Sequence, residues 1–365
     1  MILENLKIKN FRNYENLSIQ FNQGIHFIIG KNGQGKTNLL ESIYYLSCTK
    51  SHRTGNNFDL IKKSHSFFML EADIRKNNKK IDLKCIVNEK GKNLYSFKNP
   101  MKRVSDYIGI LNAVMFCPND MNLFDSVPKE RRKFIDLELG KLSKSYTSTL
   151  NHYYKLLKER NSYLKNDKVE ENFISVLDEQ MIDCQITIIQ QRQKFIDDII
   201  KNSKNFYDRL SEDKTEIHCL YQSFVLFENS DDMKKKMKEK YMKYRERDIL
   251  YRQTHAGIHK DDFVFMINEH EIASYASQGQ KRSILLALKL GIVETIYILT
   301  KTYPILLLDD VFSELDIDRR EMLLKLLNDD IQIFISSTDK IEINEEKNIY
   351  YWIVEKGSIQ QLKED

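Results

Sequence analysis

Eight consecutive residues, Gly30-Lys31-Asn32-Gly33-Gln34-Gly35-Lys36-Thr37, have the types and spacing to grip phosphate. Gly30, Gly33 and Gly35 let the backbone curl so that successive N–H groups face anionic oxygens. Lys36 has the reach to bridge terminal phosphates, and Thr37 can offer its hydroxyl to Mg²⁺. A pair of carboxylates, Asp309 and Asp310, follows the apolar run Ile305-Leu306-Leu307-Leu308. Asp309 is suited to hold Mg²⁺ through water as a second-sphere partner of Thr37, and Asp310 to orient or polarise an attacking water. A third group, Ser277-Gln278-Gly279-Gln280, opens a helical stretch, and Ser with Gly at a helix start makes another anion site. Within one subunit that site has no phosphate to meet, because the glycine loop occupies its own. It makes sense as a reach toward the nucleotide of a second copy.

These groups need elements to hold them. The glycine loop follows the apolar run Ile25-His26-Phe27-Ile28-Ile29 and precedes Asn38-Leu39-Leu40-Glu41-Ser42-Ile43-Tyr44-Tyr45-Leu46, which has helical periodicity. Strand, turn and helix form the context a phosphate-binding loop requires, and the positive end of the helix adds to its field. The run before Asp309 reads as a strand buried on both faces of a parallel sheet, its carboxyl end open to the ligand crevice.

Residues 1–29 predict two or three strands, and 67–97 predict more, with a hairpin signal at Glu89-Lys90-Gly91-Lys92. After Val127-Pro128, the spacing of Ile135, Leu139, Leu142, Tyr146, Leu150, Tyr153 and Leu157 predicts one long amphipathic helix. Ile174 through Phe206 predicts a second of about 33 residues, or roughly 50 Å, and the two together an antiparallel hairpin. The Lys- and Met-rich stretch 231–252 predicts a basic helix with a solvated charged face. Strand and helix then alternate to the end. The expected fold is α/β: a nucleotide domain of residues 1–125 and 210–365, built from both ends of the chain, around an inserted helical hairpin lobe of residues 126–209.

Bulk properties agree with this plan. At 365 residues the chain is long enough for one large domain carrying an insertion. The apolar share is 41%, enough for a core, while a net charge of +4 is too small to indicate an anionic partner by itself. Cys48, Cys85, Cys117, Cys184 and Cys219 lie far apart with no C-x-x-C pair, which reads as reduced thiols of a cytosolic protein. The N-terminal residues lack the pattern of a signal peptide, and no apolar run is read as reaching the roughly 20 residues that span a bilayer. The expectation is a cytoplasmic protein with no membrane partner.

The order of motifs resembles a known architecture. A G-x-N-G-x-G-K-T loop, a Ser-Gln-Gly-Gln segment, an apolar strand ending in acids and then Ser-x-Leu-Asp are similar to the ABC-type ATPase head of SMC, double-strand-break repair and RecF proteins. Further segments narrow the resemblance to the RecF family. They are Leu6-Lys7-Ile8-Lys9-Asn10-Phe11-Arg12-Asn13-Tyr14, Lys50-Ser51-His52-Arg53-Thr54, Pro128-Lys129-Glu130-Arg131-Arg132-Lys133-Phe134-Ile135-Asp136 and His255-Ala256-Gly257-Ile258-His259-Lys260-Asp261-Asp262. To these is added Leu308-Asp309-Asp310-Val311-Phe312-Ser313-Glu314-Leu315-Asp316. The likeness runs from end to end.

The resemblance implies an ABC-type P-loop ATPase head with an inserted helical arm, binding ATP and Mg²⁺. It implies a slow ATPase that forms a homodimer on ATP, binds single- and double-stranded DNA at gap junctions, and works with RecO- and RecR-type partners in recombinational repair. Ser277, Gln278, Gly279 and Gln280 would act in trans as the signature motif, and Asp316 would belong to the dimer-spanning loop. Asp310 stands where transporters carry Glu, and its shorter side chain fits slow, switch-like hydrolysis. Ile258 stands where the family usually has Pro, leaving open the role of His259 and Lys260. Ser336-Ser337-Thr338 occupies the place of the transporter switch His, and Asn119, after Pro118, is the candidate for a glutamine near the metal. Sequence-independent DNA binding needs Lys and Arg along a groove. Arg53, Lys62, Lys63, Lys102, Arg103, Lys129, Arg131, Arg132 and Lys133 are the candidates, taken as a group. A short SMC-like ATPase would carry far longer coiled coils, and a transporter ATPase would have a Glu after Asp309 and a switch His.

Overall fold

In a computed structural model of the protein, residues 1–211, 215–312, 317–341 and 347–362 are described. The chain divides into two compact units. The first comprises Met1–Met121, Asn202–Lys214 and Arg282–Asp365, the second Asn122–Lys201 and Thr215–Lys281.

The first unit contains a six-stranded sheet in the order Ser358–Gln361, Ile349–Glu355, Ile25–Ile29, Ile333–Ser337, Ile305–Leu308 and Ala113–Phe116. All neighbours are parallel except the pair nearest the C-terminus. The apolar runs read from the sequence are its central strands, and both Ile305–Leu308 and its neighbour Ile333–Ser337 are buried at every position. The register sets Leu308 beside Ile335 and Ile335 beside Phe27. The glycine loop, Ser336 and Asp309 therefore leave the sheet at one edge, as parallel pairing requires.

The second sheet of this unit is antiparallel, in the order Tyr14–Gln20, Ile2–Phe11, Phe67–Lys76, Lys79–Asn88, Gly91–Ser96 and Asn99–Pro100. Its strands alternate, with Phe68, Leu70, Ala72 and Ile74 buried on one face. The helix Lys36–Cys48 touches strands of both sheets and buries eleven of its thirteen residues. A helix apolar on most of its surface must be covered on both sides.

The helix Gln278–Thr300 is 23 residues long and apolar enough to cross a membrane by length and composition, and 72% of its most apolar window is buried inside the protein. This corrects the expectation that no apolar stretch reaches that length. It is a core helix, carrying Ile284, Leu285, Leu288, Ile292 and Ile296 inward.

The second unit holds the inserted helices and a three-stranded antiparallel sheet, His270–Glu271, Asp262–Ile267 and Ile217–Gln222. The expected single helix over 135–157 is two helices, Pro128–Leu142 and Lys144–Tyr163. They part at Ser143, whose backbone is extended and whose Oγ accepts the Tyr146 N–H at 3.1 Å. A serine cap restarts the helix where apolar spacing alone reads straight through. The long helix Glu171–Leu210 has 40 residues, or about 60 Å. Tyr163 packs near Phe173, Arg160 bonds Asp178 and Ser143 bonds Gln191, so partner numbers run in opposite senses and the hairpin is antiparallel.

The basic helix Ser230–Tyr251 lies along the same long helix. Lys234 pairs with Asp183 at 2.7 Å, Lys238 with Glu179 at 2.9 Å and Arg245 with Asp178 at 2.8 Å. One of its flanks is thus an ion-pair ladder. These pairs, together with the pairing of Ile217–Gln222 on Asp262–Ile267, explain why 215–281 groups with the inserted helices rather than with the nucleotide domain.

Candidate nucleotide site

The site is built on the loop between the strand Ile25–Ile29 and the helix Lys36–Cys48. Gly35 has φ 123°, and a Cβ there would lie 2.6 Å from Asn13 Nδ2, so no other residue fits. Gly33, at φ 81°, has nothing within 4 Å of where a Cβ would stand, which leaves the loop open toward the cavity. Two distant segments brace the loop. Asn13 Nδ2 donates to Gln34 O at 2.7 Å and Tyr14 Oη to Gly35 O at 3.0 Å. From the C-terminal hairpin, the Gly357 N–H donates to Gln34 O at 3.2 Å and the Lys356 N–H to Gln34 Oε1 at 2.7 Å.

Lys36 Nζ donates to the carbonyls of Gly30 at 2.5 Å and Lys31 at 3.2 Å. Burial lowers its pKa, against the opposing pull of Asp310 and Asp309. Thr37 Oγ1 donates to Asp309 Oδ1 at 3.0 Å, bringing together residues 272 positions apart. Ser336 Oγ donates to the same oxygen at 2.7 Å and accepts the Asp310 N–H at 2.8 Å. Asp309 is only 4% exposed. Burial raises its pKa, and the bonds from Ser336 and Thr37 offset part of that rise. Asp310, at φ 54°, turns away from the strand to the cavity wall. The part Ser336 plays is not foreseen from the sequence; its signal is a hydroxyl at the end of a parallel strand adjacent to the acidic one.

The cavity itself measures about 230 Å³ and is bounded by Asn32, Lys36, Thr37, Arg53, Asp310 and Ser336, among others. Arg53 is the unexpected member. The sequence groups it with the DNA-facing cations, yet its Nη1 donates to Asn38 Oδ1 at 3.0 Å beside the glycine loop. Four of its companions have internal partners as well. Lys62 pairs with Glu15 at 2.9 Å, and Arg131 makes a two-pronged pair with Asp262 at 2.8 and 2.6 Å. Arg132 donates to the carbonyl of Asp261, and Lys133 pairs with Glu130 at 3.1 Å. Lys63, Lys102, Arg103 and Lys129 are exposed. Asn119 is exposed on a 3₁₀ turn, where the neighbouring Asp120 bonds the Cys117 N–H and Lys289.

The two family segments around Arg131 and His259 turn out to be joined to each other. Besides the Arg131–Asp262 pair, Arg192 bridges Asp136 at 2.8 Å and Asp261 at 3.7 Å. Asp261 accepts Tyr221 Oη at 2.6 Å and the Phe224 N–H at 2.8 Å, and burial pushes its pKa up to about 6. His259 Nδ1 lies 2.7 Å from Tyr153 Oη, and burial pushes its pKa down to about 4. A neutral, enclosed imidazole is an internal tie, while Lys260 is exposed.

Ser277 and Gln280 form a reciprocal cap at the start of Gln278–Thr300. The Gln280 N–H donates to Ser277 Oγ at 3.2 Å and the Ser277 N–H to Gln280 Oε1 at 2.9 Å. Ser277, Gln278 and Gly279 are exposed. Behind them Lys281, 5% exposed, donates to Asp125 at 2.8 Å and to the Ala273 carbonyl at 2.8 Å. Asp316 lies outside the described residues.

Among the described residues no three His, Cys, Asp or Glu side chains cluster as a metal cage. A hydroxyl and one carboxylate beside a phosphate loop fit Mg²⁺, which keeps waters and takes its remaining ligands from phosphate.

Comparison with known proteins agrees with this geometry. The family model for the RecF/RecN/SMC N terminal domain matches residues 2–360. The DNA replication and repair protein RecF of Streptococcus gordonii is 39% identical over 361 residues, covering 98% of this chain and 100% of that protein. RecF of Streptococcus suis is 40% identical over 339 residues, 93% of each chain. A solved structure of the recombination mediator protein RecF with ATP, of the RecFOR pathway, superposes with a TM-score of 0.92 at 29% identity, covering 99% of this chain and 97% of the other. An Smc head domain from Pyrococcus furiosus shares the fold, with a TM-score of 0.55 at 15% identity, covering 99% of this chain and 95% of the other. The chain belongs to the family of RecF DNA replication and repair proteins.

Proposed function

We propose that this chain is an ATP-dependent DNA-binding protein of recombinational repair, acting in the cytoplasm as a homodimer assembled by ATP. The observation that carries the nucleotide half is the convergence of Lys36, Thr37, Asp309 and Asp310 on one site from segments 272 residues apart. The residues fit ATP with Mg²⁺. The loop N–H groups and Lys36 would hold the phosphates, Thr37 and Asp309 the hydrated metal, and the metal would neutralise charge on the phosphate oxygens. Asp310 at the cavity wall is the carboxylate to orient the attacking water and accept its proton. Lys36, released from the Gly30 and Lys31 carbonyls, would follow the terminal phosphates.

The capped, exposed Ser277–Gln280 corner supports a second half-site presented to another copy. A serine hydroxyl and free N–H groups at the start of a 23-residue helix favour an anion. The RecFOR pathway of the solved RecF–ATP structure supports RecO- and RecR-type partners, and gapped DNA as the substrate is what the motif resemblance implies. Lys63, Lys102, Arg103 and Lys129 are the candidate cations left to meet DNA backbone phosphates, without base readout.

Sedimentation with and without ATP tests the shared site. Ser277→Arg should bind ATP as a monomer and fail to dimerise. Dimerisation by ATP at parental strength in that variant would contradict the trans assignment.

A further inference from the structure

The cavity has one cationic wall that the glycine loop does not supply. Arg53 comes from the segment that follows the phosphate-loop helix, and its side chain is 43% exposed, so packing does not aim it. Its backbone is aimed instead, by a single carboxylate. Glu41 lies on the phosphate-loop helix one turn beyond Thr37 and is fully buried. It accepts Arg12 Nε at 2.8 Å and Arg12 Nη2 at 2.9 Å, and it accepts Ser51 Oγ at 2.5 Å. Ser51 Oγ accepts in turn the N–H groups of Arg53 at 2.9 Å and Thr54 at 3.2 Å. The backbone that bears Arg53 thus hangs from Glu41 through one hydroxyl.

Arg12 fixes the far end of the same segment. Its Nη1 donates to Asp59 O at 3.0 Å and its N–H to Leu60 O at 2.7 Å. Thr54 Oγ1 closes the segment on Asp59 Oδ2 at 2.6 Å. The Arg53 guanidinium stands 3.9 Å from Glu41 itself. Burial alone would raise the pKa of Glu41, yet the bonds from Arg12 and Ser51 hold it below the ordinary range, so it is ionised. Packing alone does not call for a buried charge at this position, because apolar residues of similar volume commonly replace buried ion pairs without loss of stability.

We propose that Glu41 is a positioning residue for nucleotide binding. Through Ser51 it sets the backbone of Arg53 so that the guanidinium faces the phosphate cavity, and through Arg12 it keeps the segment closed. This rests on reading the cavity as an ATP site.

The test is a double-mutant cycle read by titration with a fluorescent ATP analogue, with thermal unfolding alongside. Arg53→Ala should weaken ATP binding about 10- to 100-fold, the worth of a hydrogen bond to a charged group. Glu41→Gln and Ser51→Ala should each weaken it roughly 3- to 10-fold in the parent, because a guanidinium on a loosened backbone grips phosphate less often. Neither should weaken it further once Arg53 is alanine, and Ser51→Ala should melt close to the parent. Equal losses with and without Arg53, or parental affinity in Ser51→Ala, would overturn the proposal. If Glu41→Gln does not fold, Ser51→Ala carries the test alone. Lys36→Ala separates the two levels: ATP binding retained there would remove the nucleotide reading itself, whatever Glu41 does.

Discussion

Ser336→Ala removes one oxygen from the centre of the site, and its cost can be worked from the bonds it deletes. Ser336 is 1% exposed, donates to the buried Asp309 carboxylate at 2.7 Å and accepts the Asp310 N–H at 2.8 Å. A hydrogen bond to a charged group contributes about 1.5–3 kcal/mol and a neutral one about 0.5–1.5 kcal/mol. Together they give an expected deficit of about 2–4.5 kcal/mol at neutral pH.

The deficit should depend on pH. Burial raises the Asp309 pKa, so between the ordinary carboxylate value and the raised one the native state holds a proton that the unfolded chain has released. In that window stability falls as pH rises. Once Asp309 is protonated, the deleted bond is neutral to neutral, and the deficit should shrink to about 1–3 kcal/mol. The assay is urea unfolding at a series of pH values descending from neutral through the carboxylate range, followed by tryptophan fluorescence. Trp352, the only tryptophan, belongs to the same sheet and bonds His26 at 3.1 Å, so the signal reports on this unit. A deficit under about 0.5 kcal/mol at neutral pH, or one that stays constant down the whole series, would refute the claim that the hydroxyl acts on the ionised carboxylate.

Other consequences are simpler to check. Lys36→Ala should abolish nucleotide binding by fluorescence titration, while Asp310→Ala should bind ATP, lose hydrolysis and accumulate as an ATP-bound dimer on sedimentation. Arg131→Ala should destabilise the second unit by about 1–3 kcal/mol in chemical unfolding, because it leaves Asp262 half-buried without its partner; unchanged stability would return Arg131 to the cations free for DNA. His259 has its pKa pushed from 6.5 to about 4, so stability tied to it is lost as pH falls through that interval, by at most about 3 kcal/mol. Since His26 and Asp261 titrate in overlapping windows, the quantity to read is the difference between the parent and His259→Gln, which should narrow toward low pH. DNA affinity should fall steeply with added salt, and a flat profile would remove the phosphate contacts.

The parts of the site that are legible in the sequence are those whose chemistry is local. Eight contiguous residues declare a phosphate loop, and Asp309 declares itself because a fully apolar strand leads to it. The role of Ser336 is not legible, since it comes from the register of the preceding Ile335 with Leu308 and Phe27, which no spacing encodes. Arg53 and Arg131 show the reverse difficulty. A cation in a polar stretch looks alike whether it faces solvent, a phosphate cavity or a half-buried aspartate 131 residues away. The break at Ser143 is hidden for another reason: the apolar period continues across it, while the cap depends on one hydroxyl. The return of 215–281 to the second unit escapes a reading of spacing because Ile217–Gln222 finds its partner strand some forty residues later.

The bracing of Gln34 by Lys356 and Gly357 carries a consequence for synthesis. The loop leaves the ribosome early, but one of its supports lies 322 residues downstream, roughly 15–65 s later at ordinary elongation rates. Both neighbouring strands, Ile333–Ser337 and Ile349–Glu355, are also late, so Ile25–Ile29 waits with both edges unpaired. A growing polypeptide stalled before that hairpin should therefore be unable to retain ATP, and its waiting strand is where chaperones have most to shield.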